Sequence, residues 1–144
     1  MYRLNPYLNL GGNCAEAFRF YQKLFGAAEP MMMRFGDTEM ADQLPEPVKT
    51  RIMHAEVVVG AVTLMGSDAV EMPDTPESAY QWPQGITVSI NVDEPAEADR
   101  LFAALSEGDG VRMPIAETFW ARRFGMCTDR FGIPWMVNCS KPQG

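Results

Sequence analysis

Apolar residues at positions 17, 18, 21, 24 and 25 recur as on one face of a helix, bounded by Gly11-Gly12 and Gly26. Asn13 with Glu16 three residues on has the reciprocal capping-box arrangement, which predicts where that helix starts. Residues 5–10 before it read as a short extended run. Residues 29–35 predict a second strand, with weak alternation through Met31, Met32 and Met33, and 36–50 read as an exposed acidic loop. Residues 52–59 and 61–66 predict a hairpin turning at Gly60, which can supply positive φ. A connector rich in proline and acid follows over 67–84, and strand character resumes at 86–92. A second helix begins around 93–95, with Ala98, Leu101, Phe102 and Leu105 at helical spacing before Gly108. Three strands complete the chain, over 112–117, from 119 or 120 to 128, and over 133–139. The last two are joined by an Asp129–Gly132 turn.

The two halves repeat. Shifted by 81 residues, positions 15–24 match their counterparts at Ala15, Glu16, Ala17, Arg19 and Leu24, in the same strand-then-helix context. The expected fold is α+β: two βαβββ modules, about 4–69 and 86–140, within a single domain spanning 1–144. One helix covers only one face of each sheet, so the modules are expected to pair their sheets and enclose a shared cavity between curved faces.

Length and charge narrow the function classes. The chain has 144 residues, 47% of them hydrophobic, enough for a compact core but with no apolar run long enough to cross a bilayer. Nineteen acidic against twelve basic residues give a net charge of -7, which disfavours a nucleic-acid partner. The N-terminus has no signal-like pattern, so a cytoplasmic location is expected, and no membrane partner. Cys14, Cys127 and Cys139 have no metal-ligand spacing and read as small core hydrophobes. The glycines form neither a dinucleotide nor a P-loop pattern, and no cofactor is expected.

His54 is the only imidazole of the chain, and on an extended strand it shares a face with Ile52, Glu56 and Val58. His54 and Glu56 are the candidate catalytic pair, as general base and partner. The competing reading has His54 bonded within a sheet or dimer surface and Glu56 in water. Glu117, Trp120, Arg123 and Trp135 are candidate ligand-binding residues: Trp supplies a flat apolar wall, Arg a donor fork for a carboxylate or phosphate. Core or subunit-contact tryptophans and solvated Arg122 and Arg123 are the alternative. Met31, Met32 and Met33 suit either an adaptable ligand wall or ordinary core.

Pro6-Tyr7-Leu8, Asn13 to Ala17 leading into Phe20 to Gly26, His54-Ala55-Glu56-Val57, Gly66-Ser67-Asp68, Glu117 to Ala121, and Thr128 to Met136 follow one another along most of the chain. In this order of motifs the chain resembles the vicinal oxygen chelate superfamily, which includes glyoxalase I, extradiol dioxygenases and bleomycin-binding resistance proteins, and within it the PhnB-like branch. The resemblance implies the paired-module fold and adds Asn5 and Tyr7 of the first strand to the candidate ligand-binding set. It also implies that the superfamily's four metal-ligand positions fall at Asn5 and within 62–65, 85–87 and 135–137. None of these is His, Asp or Glu, so no metal is expected. PhnB-like proteins can carry a ubiquinone-methyltransferase label, but this chain lacks the glycine-rich strand–helix turn of an ordinary adenosylmethionine domain. The expected function is binding of an unidentified small molecule, anionic and aromatic, in a homodimer. The alternatives are an enzyme using His54 and Glu56, a metal-dependent lyase or dioxygenase with an atypical site, and a structural dimer.

Overall fold

The computed structural model describes residues 1–142. The chain divides into two compact units, Met1–Gln81 and Trp82–Gly144. The first contains β1 (Tyr7–Leu10), α1 (Cys14–Phe25), β2 (Met31–Arg34), α2 (Glu46–Lys49), β3 (Ile52–Val59) and β4 (Val62–Asp68). The second contains β5 (Val88–Asn91), α3 (Pro95–Leu105), β6 (Val111–Ala116), β7 (Ala121–Thr128) and β8 (Pro134–Ser140). The two four-stranded sheets have the same order, β1-β4-β3-β2 and β5-β8-β7-β6. In each, the first strand runs parallel to the last and the remaining pairs are antiparallel. This is the α+β, twice-repeated βαβββ arrangement that the 81-residue repeat predicts. The 36–50 loop is more ordered than its composition suggests, with 3-10 turns at Phe35–Asp37 and Ala41–Gln43 ahead of α2.

Each sheet buries the face that meets its long helix. In the first unit Leu8, Leu10, Ala55, Val57 and Leu64 lie with Phe18 and Tyr21 of α1 in the core. Gly66 allows that close approach: a Cβ there would stand 2.8 Å from the Leu8 carbonyl oxygen and 2.8 Å from the Phe18 ring. In the second unit Trp135, Val137 and Cys139 of β8 are buried, together with Leu101, Phe102 and Leu105 of α3.

The start of α1 departs from the sequence expectation. Asn13 occupies the cap position but makes no side-chain cap hydrogen bond. The first helical donor, the Cys14 N–H, turns to a long-range acceptor, as does the Gly12 N–H just before the helix. Asp68, at the end of β4, accepts N–H bonds from Gly12 (2.9 Å) and Cys14 (3.0 Å) on Oδ1, and from Ile52 (2.9 Å) on Oδ2. The carboxylate thus takes the first donor of α1 and ties the helix start to β3 and β4. In the second unit Asp129 does similar work. Its Oδ1 accepts from the backbone N–H of Phe131 (2.9 Å) and Ile133 (3.0 Å), and its Oδ2 from the Trp135 indole N–H (2.8 Å).

All three cysteines are buried free thiols. Burial, reinforced by Asp68, pushes the Cys14 thiol up to about 12; burial, reinforced by Asp129, pushes Cys127 up to about 11. Both stay protonated where an unfolded chain's thiols, near about pH 8.5, have begun to ionise. Their stabilising contribution is therefore complete below that pH and is lost as pH rises toward the folded values. Iodoacetamide at pH 8 should leave Cys14 and Cys127 unmodified in the folded protein and modify both in denaturant, and stability should fall above about pH 9. Rapid labelling of either thiol in the folded chain would contradict this assignment.

Candidate functional site

The face of the first sheet opposite α1 carries the polar chemistry of that unit. Residues paired across adjacent strands share a face, and the registers Tyr7↔Met65, Met65↔Glu56 and Glu56↔Met31 make one continuous row across β1, β4, β3 and β2. His54 follows Glu56 by one alternation on β3 and pairs with Met33. Tyr7, Met31 and Met33 are exposed, and Glu56 and His54 partly so.

One irregularity sets the direction of His54. The β2–β3 register passes from Met33↔His54 to Arg34↔Ile52, so Met53 is an extra residue that changes the phase of β3. Ile52 is consequently buried, 1% exposed, while His54 stays with Glu56 on the open face. The simple alternation that groups Ile52 with His54 is corrected by this bulge.

His54 is held on both ring nitrogens. Nε2 lies 2.9 Å from Glu56 Oε1, and Nδ1 lies 3.2 Å from the Tyr7 hydroxyl. A carboxylate can only accept, so in the neutral imidazole Nε2 carries the hydrogen and donates to Glu56. Nδ1 is then the acceptor and the Tyr7 O–H the donor. Tautomer and ring orientation are both fixed by partners, and the Tyr7 and His54 rings pack with centroids 5.7 Å apart. Sequence reading pairs His54 with Glu56 and names Tyr7 separately; the bond joining Tyr7 to His54 spans 47 positions and has no local sequence signal. Met65 is absent from the sequence-based candidates because its place in the row depends on the β1–β4 register.

The other candidates lie elsewhere. Asn5 is exposed just ahead of β1, where its Oδ1 accepts the Thr63 N–H (3.2 Å). Glu117 is exposed in the β6–β7 connection. Trp120 is 47% exposed, its ring packed edge-on against Phe119 and Phe124. Arg123 and Trp135 have partners within their own unit. Arg123 pairs with Asp99 of α3, Nε to Oδ1 2.7 Å, and so is directed to the helix rather than to the open side. Trp135 is 2% exposed and spends its indole N–H on Asp129, so it is a core residue at the floor of a cleft rather than an accessible wall. That cleft, about 450 Å³, lies within the second unit and is lined by Trp82, Ile86, Arg112, Met126 and Pro134 as well as Trp135. Arg122 is also committed, donating to the Ser140 and Asp93 carbonyls.

Metal-binding chemistry does not fit the superfamily's positions in this chain. Asn5 is engaged by Thr63, and the segments that would supply the remaining ligands, Val62 to Met65 in β4, Gly85 to Thr87 just ahead of β5 and Trp135 to Val137 in β8, offer neither carboxylate nor imidazole. Among the described residues, no group of three or more His, Cys, Asp or Glu side chains is placed to hold a metal ion.

Residues 3–138 match the family model described as 3-demethylubiquinone-9 3-methyltransferase. The chain belongs to this PhnB-like family. It is 35% identical to Protein YjdN of Escherichia coli K12 over 148 residues, covering 97% of each chain. It is 45% identical to the crystal structure of PA1353 from Pseudomonas aeruginosa, covering 99% of this chain and 100% of that one, with a TM-score of 0.83. A glyoxalase/bleomycin resistance protein/dioxygenase from Nocardioides, 19% identical, shares the fold with a TM-score of 0.56 over 100% of this chain and 87% of its own. The chain therefore shares the fold of glyoxalase/bleomycin resistance/dioxygenase proteins. Among the described residues no helix is long and apolar enough to cross a membrane.

Proposed function

We propose that this protein binds a small, neutral, partly apolar molecule on the open face of its first sheet, with Tyr7, His54 and Glu56 as the polar anchor. The observation that carries the reading is the His54 imidazole held at both nitrogens, Tyr7 at 3.2 Å and Glu56 at 2.9 Å, beside the Tyr7-Met65-Glu56-Met31 row. Preordered polar groups beside adaptable methionine side chains suit a ligand with one polar end and an irregular apolar body. The sequence-based preference for an anion loses its main support once Arg123 is paired with Asp99, Glu56 together with the net charge of -7 works against an anion, and the methionine side chains of the row suit an uncharged apolar body.

Methyl-labelled methionine provides the test. In a screen of neutral phenols and aromatic alcohols, binders should shift the methyl signals of Met31, Met33 and Met65 and leave those of Met40 and Met72 in place. For such a binder, Tyr7→Phe should weaken affinity about 5- to 10-fold, the value of one hydrogen bond. Shifts confined to methionines outside the row, or unchanged affinity in Tyr7→Phe, would overturn the assignment.

A further inference from the structure

We infer that Tyr7 is the terminal acid/base group of a three-residue proton relay, in which His54 takes the Tyr7 proton and Glu56 positions and stabilises the imidazole. The inference rests on the proposed ligand face only for its substrate class; the relay itself is a property of the unliganded protein. Its basis is directional. Glu56 fixes the hydrogen on Nε2, which leaves the Nδ1 lone pair facing the Tyr7 hydroxyl 3.2 Å away. Tyr7 is 44% exposed, so a hydroxyl poised on an internal base is also open to an incoming molecule. The arrangement has the logic of nucleophile or base, imidazole and orienting carboxylate, with a phenol in the outer place.

The proton inventory closes without a co-reactant. A substrate O–H, or a C–H next to a carbonyl, gives its proton to the Tyr7 oxygen and keeps the electron pair. The original Tyr7 proton passes to Nδ1 in the same step, and the resulting imidazolium lies against the Glu56 carboxylate. Reversal at a different substrate atom returns the proton and completes an isomerisation. The substrate class is therefore a neutral molecule bearing a hydroxyl or an enolisable carbonyl. An anion would meet Glu56 unfavourably, and the imidazolium formed gains from it.

Benzenesulfonyl fluoride tests the relay without a known substrate. The Tyr7 oxygen attacks sulfur, the S–F bond breaks, fluoride leaves and the phenolic proton goes to Nδ1. Tyr2, 98% exposed, is an internal reference with ordinary phenol reactivity. Peptide mapping should show Tyr7 modified at least about a hundredfold faster than Tyr2, the lower end of what a positioned general base contributes. In His54→Ala the Tyr7/Tyr2 ratio should fall to about one and recover on addition of free imidazole, which a purely structural role for His54 would not produce. Glu56→Gln should lower the ratio severalfold while Tyr2 labelling is unchanged. Equal labelling of Tyr7 and Tyr2 in the unmodified protein, or a ratio insensitive to His54→Ala, would overturn the relay. Because labelling is read without ligand, fast Tyr7 modification alongside silent Met31, Met33 and Met65 methyls would sustain the relay and overturn the binding reading alone.

Discussion

Replacing Asp68 with alanine is expected to remove about 3–5 kcal/mol from the stability of the first unit. The side chain is 4% exposed and accepts three backbone N–H groups, from Gly12, Cys14 and Ile52. A hydrogen bond to a charged acceptor is worth about 1.5–3 kcal/mol, and leaving a buried donor unpaired costs about 1–3 kcal/mol, so three losses at one point exceed any single surface substitution. Asn13 cannot take over, since it makes no cap bond even in the intact protein. Amide hydrogen exchange is the suitable readout because it reports each unit locally: protection should collapse at Gly12, Cys14 and Ile52 and in α1, and hold in β5–β8. A loss under about 1 kcal/mol would mean that these donors find other partners.

The second large effect belongs to Trp135. Trp135→Ala empties the largest fully buried side-chain volume of the second unit, and about 3–5 kcal/mol should be lost. Trp135→Phe keeps most of the packing but leaves Asp129 Oδ2 without the indole donor at 2.8 Å, and should cost less. Combining Trp135→Phe with Asp129→Ala should give a coupling energy of about 1–3 kcal/mol, measured as a shift in the urea midpoint of β7–β8 protection. Additive effects would separate the two residues and reopen an accessible, ligand-facing role for Trp135.

The sequence makes the strand–helix–three-strand order of both units visible because the helical stripes are periodic and the β-branched runs such as 57–59 are bounded by glycine turns. The boundaries of β3 coincide with the expectation, and those of the other strands lie within a few residues. What stays hidden is governed by long-range registers. The Met53 bulge depends on how β2 pairs with β3 and moves Ile52 to the core, which no alternation rule can anticipate. The Asn13 side-chain cap bond expected from the sequence is not made, and Asp68, 55 positions on in the chain, holds the helix start through the Gly12 and Cys14 N–H groups instead. The pair His54 and Glu56 is legible as neighbours on one strand, whereas Tyr7 meets His54 only once β1 and β3 flank β4. The Arg123 fork suits an anion, and its pairing with Asp99 of α3 is likewise a long-range contact with no local sequence signal.

Tyr7, His54 and Glu56 form one hydrogen-bonded series, and the chain's single histidine makes its order directly readable. A long-range nitrogen–proton NMR spectrum of the imidazole, recorded where His54 is neutral, reports which ring nitrogen carries the hydrogen. The expected result is a protonated Nε2 and an unprotonated Nδ1, with the Nδ1 signal moving in Tyr7→Phe and the tautomer preference shifting in Glu56→Gln. A neutral ring protonated on Nδ1, or nitrogen signals that ignore both substitutions, would contradict the site.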